Sequence, residues 1–144
     1  MNSTQRFLSL SAAVLSAAVL APAAASADAE RGSYSGKTSQ PANGAAQPFT
    51  GSLKVSLGHF SDPARVTRMN LTARLLCADG TTRDVRYDKV IAFGPQLDRK
   101  GRFVHSDGGL IVRGRFGRTG KARGSLSYTV EECSVAGATW TASH

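Results

Sequence analysis

The stretch at residues 111–128, "IVRGRFGRTGKARGSLSY", decides how we interpret the second half of the chain. The stretch contains five basic side chains and four glycines. Its "GRTGKA" core has the composition of a phosphate-binding loop. Such a loop needs a glycine where Arg115 stands and a hydroxyl where Ala122 stands, and it leads into a helix. The residues after "GRTGKA" alternate as a strand does. We therefore interpret the stretch as a β-hairpin.

The hairpin interpretation also fixes which residues of the two strands face each other. With residues 117–121 as the turn, every inner pair consists of apolar residues or glycines. These pairs are Phe116 with Ala122, Gly114 with Gly124, Val112 with Leu126, and Leu110 with Tyr128. The paired glycines leave a shallow space on the inner face, which a large ring such as Trp140 or Phe103 would fill.

The outer face of the same hairpin carries the candidate binding residues. Arg115 lies opposite Arg123 in this register, and directly opposed like charges are unfavourable in a sheet. Either solvent tolerates the arrangement or a bound anion offsets it. The predicted anion-binding residues are Arg113, Arg115, Arg118, Lys121 and Arg123.

Period-two alternation extends through the rest of the chain. Phe49–Leu57 and Val66–Cys77 each place apolar residues on one face and polar residues on the other. After an "ADG" turn, Val85, Tyr87, Ile91 and Phe93 share a phase, with Lys89 as an intruder that indicates a bulge or the rim of the sheet. Short strands separated by Gly, Pro and Asp predict one antiparallel β-sandwich or barrel of about seven or eight strands.

The N-terminus has the pattern of a secretory signal peptide. One basic residue precedes an alanine-rich apolar run, and small residues end it, so we expect residues 1–27 to be removed by cleavage between Ala27 and Asp28. Residues 28–47 are assigned to an N-terminal arm and linker, in which "GSYSGKTSQ" is either a first short strand or an ordered arm. The β domain is assigned to residues 48–144.

Cys77 and Cys133 are the only cysteines. An even number of cysteines in an exported chain indicates a disulfide, and two isolated cysteines provide too few ligands for zinc. We expect one Cys77–Cys133 bridge and no metal or cofactor.

The charge balance indicates the kind of partner. The full chain has a net charge of +8, and loss of Arg6 with the leader leaves 17 basic and 10 acidic side chains. Such a charge attracts polyanions or an anionic cell-envelope component, although a solubilising surface is the more common explanation of it. Because a secreted chain rarely meets nucleic acid, we do not expect nucleic acid as the partner.

Catalytic residues cannot be nominated from the sequence. His59, His105 and His144 are scattered, and no paired carboxylates are evident. We expect a secreted, non-enzymatic domain that binds an anionic polymer through the basic hairpin face. The alternative from another class is a secreted protease inhibitor, with "GPQLDRKG" at residues 94–101 as its exposed loop.

Several short motifs resemble a loose group of small secreted bacterial proteins, chiefly from actinobacteria. They are "YSGKTSQ", "LLCADGTTR", the paired "GRF" segments, "ARGSLSY", "EECSVAG" and "WTA", and together they span most of residues 34–142. The resemblance implies a β fold and a bacterial secreted protein, and the group carries no established activity.

Overall fold

The computed structural model describes residues 29–42, 48–58 and 63–144, and the predicted leader lies outside these ranges. The described chain consists of strands joined by turns and loops, with no helix. The eight strands are β1 (Gly32–Gln40), β2 (Phe49–Leu57), β3 (Val66–Cys77), β4 (Thr82–Val90), β5 (Arg102–Asp107), β6 (Leu110–Phe116), β7 (Lys121–Val130) and β8 (Cys133–Ser143).

The strands form one antiparallel sheet that closes in a barrel-like manner. Its order is β4-β3-β2-β1-β8-β7-β6-β5, so each strand lies beside its neighbour in sequence except that β4 and β5 occupy the two ends. The first and last strands pair in the middle, and β3 also pairs with β8 at one end. The prediction of a single antiparallel β domain of seven or eight strands is confirmed.

β1 lies in the middle of the sheet, between β2 and β8. It pairs with β2 along its whole length and with β8 from Ser35 to Ser39. The segment "GSYSGKTSQ" is therefore a strand, the first of its two interpretations. The sheet begins at Gly32, inside the segment that the sequence assigned to an arm and linker.

The predicted register of the β6–β7 hairpin is confirmed at every inner pair. Trp140 on β8 is in register with Gly124, which in turn is in register with Gly114. The Trp140 indole is 1% exposed and lies against both glycines, and its Nε1 donates a hydrogen bond of 3.2 Å to the carbonyl of Arg113. Phe103 and Phe116 pack against the same ring, with centroid separations of 6.2 and 6.5 Å.

The other predicted faces agree with burial, with one exception. Met69, Leu71, Ala73 and Leu75 of β3 are fully buried. Phe93, which was assigned to the same inner face as Val85, is 95% exposed. β4 ends at Val90, so the alternation that predicted an inward Phe93 stops before that residue. The β3–β4 ladder runs without a bulge, which leaves the rim as the explanation for Lys89.

At one end of the sheet, the side chain of Gln40 makes the hydrogen bonds that a strand backbone would make. Gln40, which is buried, donates from Nε2 to the carbonyl of Arg74 at 2.7 Å, and its Oε1 accepts from the Arg74 N–H at 2.9 Å. A side-chain amide thus makes the pair of hydrogen bonds that a neighbouring strand would make. Beyond this point β3 pairs directly with β8, and the Cys77–Cys133 disulfide joins residues that are in register. The predicted bridge is confirmed.

Gly124→Val is expected to destabilise the fold. A Cβ at position 124 would lie 2.7 Å from Cε2 and Nε1 of Trp140 and closer still to the Arg113 carbonyl oxygen. Overpacking of this kind costs about 2 kcal/mol or more. Urea unfolding measures the loss, and Ser125→Val, the outward neighbour on the same strand, is the control that should unfold near the wild-type midpoint. Equal midpoints for the two variants would contradict the packing described above.

Removal of the disulfide is expected to lower stability by about 2 to 4 kcal/mol, because the unfolded chain is then free of a cross-link. The bridge spans 56 residues of sequence. The double variant Cys77→Ala with Cys133→Ala and the reduced wild-type protein should show similar denaturation midpoints, both below that of the oxidised protein. Titration of two free thiols in the native protein would show that the bridge does not form.

Candidate functional site

Four cations form a row on the outer face of the sheet, one strand after another. The register places Arg102 beside Arg115 and Arg115 beside Arg123. Arg123 is in register with Thr141, which is in register with Lys37 on β1. These four cations and Thr141 are all exposed, because each residue alternates along its strand with inward residues. We call Arg102, Arg115, Arg123 and Lys37 the cationic row.

Among the described residues, Arg102 is the one member of the cationic row with an acidic partner. Arg102 forms an ion pair with Asp98 at 2.7 Å, and Arg115 donates from Nε to the carbonyl of Lys100 at 3.1 Å. Among the described residues, neither Arg123 nor Lys37 makes an ion pair. Like charges held on adjacent strands repel one another, and a bound anion would relieve that repulsion.

The outward arginines of β3 and β4 differ from those of the cationic row, because carboxylates of β4 lie beside them. Asp84 accepts two hydrogen bonds from Arg74, at 2.6 and 2.9 Å. Asp88 pairs with Arg68 at 3.1 Å and with Arg86 at 3.6 Å. The arginines of those strands therefore have carboxylate partners, whereas the arginines of β6 and β7 make no ion pair with any residue that the structure describes. The resulting charge asymmetry is a property of the fold that net charge alone does not reveal.

An open cleft of about 570 Å³ lies over the β1 end of the cationic row. No carboxylate is among the described residues that line it. Its polar side chains are those of Lys37, Arg115, Lys121 and Arg123, with the hydroxyls of Ser35, Thr119, Thr141 and Ser143. Exposed ammonium, guanidinium and hydroxyl groups are all hydrogen-bond donors, so the cleft suits an acidic ligand.

The structure brings together three of the five residues predicted for anion binding. Arg115, Lys121 and Arg123 line the cleft. Arg113 lines the adjoining depression over the two paired glycines. Arg118 is exposed in the turn between β6 and β7 and lines neither.

Arg102 and Lys37 belong to the cationic row but not to the predicted anion-binding residues, and the more remote of them in sequence is Lys37. Its own segment alternates, with Ser33, Ser35 and Ser39 sharing its outward phase, so the local pattern indicates an exposed lysine on a strand. The pairing of β1 with β8 places Lys37 opposite Thr141, and Thr141 lies between Lys37 and Arg123 in the row. That pairing joins residues about a hundred positions apart. Local periodicity contains no information on that pairing.

The loop proposed for the protease-inhibitor alternative is held against the sheet. Leu97 in its centre is 5% exposed, and its N–H donates to the carbonyl of Ala64 at 2.9 Å. Asp98 accepts hydrogen bonds of 2.8 Å from the N–H groups of Lys100 and Arg102, which closes a tight turn. Gln96, Asp98, Arg99 and Lys100 are exposed, and inhibition of proteases stays a prediction.

A second polar cluster joins β4 to β5, the strands at the two ends of the sheet. The Tyr87 hydroxyl donates to Oδ2 of Asp107 at 2.9 Å, and Lys89 donates to the same oxygen at 2.6 Å. Nε2 of His105 lies 2.8 Å from the Tyr87 oxygen. Because the single hydroxyl proton is directed at Asp107, Nε2 is the donor to Tyr87. We call these four side chains the seam cluster.

The seam cluster shifts the pKa values of its members. Burial lowers the pKa of His105, against the opposing influence of the Asp107 carboxylate, and Lys89 adds to the lowering. Hydrogen bonds from Lys89 and Tyr87 lower the pKa of Asp107. Burial, followed by the hydrogen bond to Asp107, raises the pKa of Tyr87. The folded protein thus favours neutral His105 beside ionised Asp107.

Stability is expected to decrease as the pH falls below about 6.5, the ordinary pKa of histidine. The lowered pKa of His105 means that the unfolded chain binds a proton more readily than the folded one, so acid favours unfolding. His105→Gln retains a donor for Tyr87 and removes this titration. Urea midpoints at pH 7.5 and 5.0 should therefore differ less in the variant than in the wild type, and identical pH dependence would exclude a role for His105.

Two further properties of the described residues bear on function. No group of three or more His, Cys, Asp or Glu side chains in ranges 29–42, 48–58 and 63–144 is arranged to hold a metal ion. Within the same ranges, no helix has the length and hydropathy that crossing a membrane demands.

The fold and the cleft together define a small antiparallel β protein with one strongly cationic outer face. Neither a protein-family model nor a curated protein nor a solved structure matches this chain. The geometry of the chain's own residues is therefore the basis for its proposed function.

Proposed function

We propose that this protein is a secreted, non-enzymatic domain that binds an anionic polymer of the cell envelope or its surroundings. The observation that carries the proposal is the cationic row, which extends from β5 to β1 and, among the residues that the structure describes, has an acidic ion-pair partner only in Asp98 at its β5 end. The leader-like N-terminus and the disulfide support an oxidising compartment outside the cytoplasm.

The arrangement suits a polymer better than a small anion. The row follows one register across five strands, from β5 to β1. Four strand spacings of about 4.8 Å give it a length of roughly 19 Å. Single anions bound at such exposed positions gain little, because each exposed ion pair contributes at most about 1 kcal/mol. A chain with repeated charges collects several such contacts in one binding event.

Binding of heparin and of inorganic polyphosphate, at stepped NaCl concentrations, tests the proposal. We expect affinity for at least one polymer to fall steeply with salt, because screening weakens exposed charge contacts. Lys37→Ala with Arg123→Ala removes two cations of the row, and the affinity should fall roughly three- to tenfold at low salt.

The matched control is Arg68→Ala with Arg86→Ala, which removes the same charge from the side where both arginines contact Asp88. This control should bind nearly as well as the wild type, since only net charge has changed. Equal losses in the two double variants would assign binding to net charge rather than to the row. Absence of salt-dependent binding to both polymers would overturn the proposed function.

A further inference from the structure

The cleft over the cationic row is part of a longer groove that crosses the strands. A depression of about 490 Å³ over β6, β7 and β8 shares Arg115, Arg123 and Thr141 with the cleft. A third depression of about 500 Å³ on the β5 side shares Arg102, Arg113 and Gly114 with the second. The three are continuous, and we call them the cross-strand groove.

The floor of the groove is backbone rather than side chain. Gly114 and Gly124 lie side by side at its centre, and both would place a Cβ inward against Trp140. The buried indole fills the space beneath them, so the strands lie close above a rigid ring. Backbone at this position leaves room for a ribbon-like ligand lying across the strands.

The two walls of the groove differ in chemistry. One wall is the cationic row. On the other side of the glycines, the register runs from Arg113 through Ser125 and Thr139 to Ser39. Ser125 and Thr139 are in register, exposed and in the lining, and their hydroxyls make no hydrogen bond to any residue that the structure describes. We call these two residues the hydroxyl wall.

We propose that the cross-strand groove binds a linear acidic polysaccharide, with its sulfate or carboxylate groups on the cationic row and its sugar hydroxyls on the hydroxyl wall. This inference rests on the proposed function and names the ligand class. Serine and threonine hydroxyls both donate and accept hydrogen bonds, as sugar hydroxyls do. Polyphosphate offers only charged acceptors, and the uncharged Ser125 and Thr139 of the hydroxyl wall match such acceptors poorly.

The test compares heparin with inorganic polyphosphate of similar length, on the full exported chain. Ser125→Ala with Thr139→Val removes both hydroxyls of the wall and changes no charge. Loss of two hydrogen bonds should weaken heparin binding about three- to tenfold and leave polyphosphate binding unchanged. Size-defined heparin fragments should gain affinity until they reach the groove length of roughly 19 Å, given by four strand spacings.

The matched control is Thr129→Val with Ser134→Ala, an exposed pair in register on the same two strands but outside the groove. It should bind both polymers as the wild type does, and circular dichroism melting should show both double variants folded. Unchanged heparin affinity in the Ser125 and Thr139 variant, or equal loss for the two polymers, would overturn the polysaccharide assignment. The proposed function would survive that result if Lys37→Ala with Arg123→Ala still weakened binding.

Discussion

The contact of the Trp140 indole with the paired glycines Gly114 and Gly124 is the constraint on which the structure depends. It fills the core at the centre of the sheet and fixes how closely β6, β7 and β8 approach the ring. The same contact bears on the outer surface, because the two inward-facing glycines let the strand backbones lie close against the ring, and a depression lies above them. Core packing and the shape of the proposed binding surface thus have one physical origin, and a change in either is transmitted to the other.

Segregation of charge is the second organising property. Arg68 and Arg74 of β3 meet carboxylates of β4 across their ladder, which offsets part of the positive charge there. The cations of β6 and β7 meet one another instead. Holding them in register has an electrostatic cost that the sheet can sustain because the side chains remain hydrated. A surface that retains unneutralised charge is preorganised for an anionic ligand, since no internal ion pair has to be broken first.

The sequence was sufficient for the local features and insufficient for the long-range ones. The β6–β7 register could be predicted because alternation fixes which residues face inward and the turn at residues 117–121 fixes their partners. The position of Lys37 could not, since it follows from pairing between the first and last strands. Phe93 was misplaced because alternation does not reveal where a strand ends. The seam cluster was missed for the same reason as Lys37: Tyr87 and His105 lie at opposite ends of the sheet order.

The central position of β1 has a consequence for how the molecule is assembled. Its partner β8 comes last among the eight described strands, so the sheet cannot be completed until that strand is available. Pairings between distant segments form slowly, because a long loop must be closed before any contact is gained. Lys37 on β1 and Arg123 on β7 are both in register with Thr141 of β8, so they are held in one row only through that strand. The cationic row therefore forms only when β8 has paired with β1 and β7.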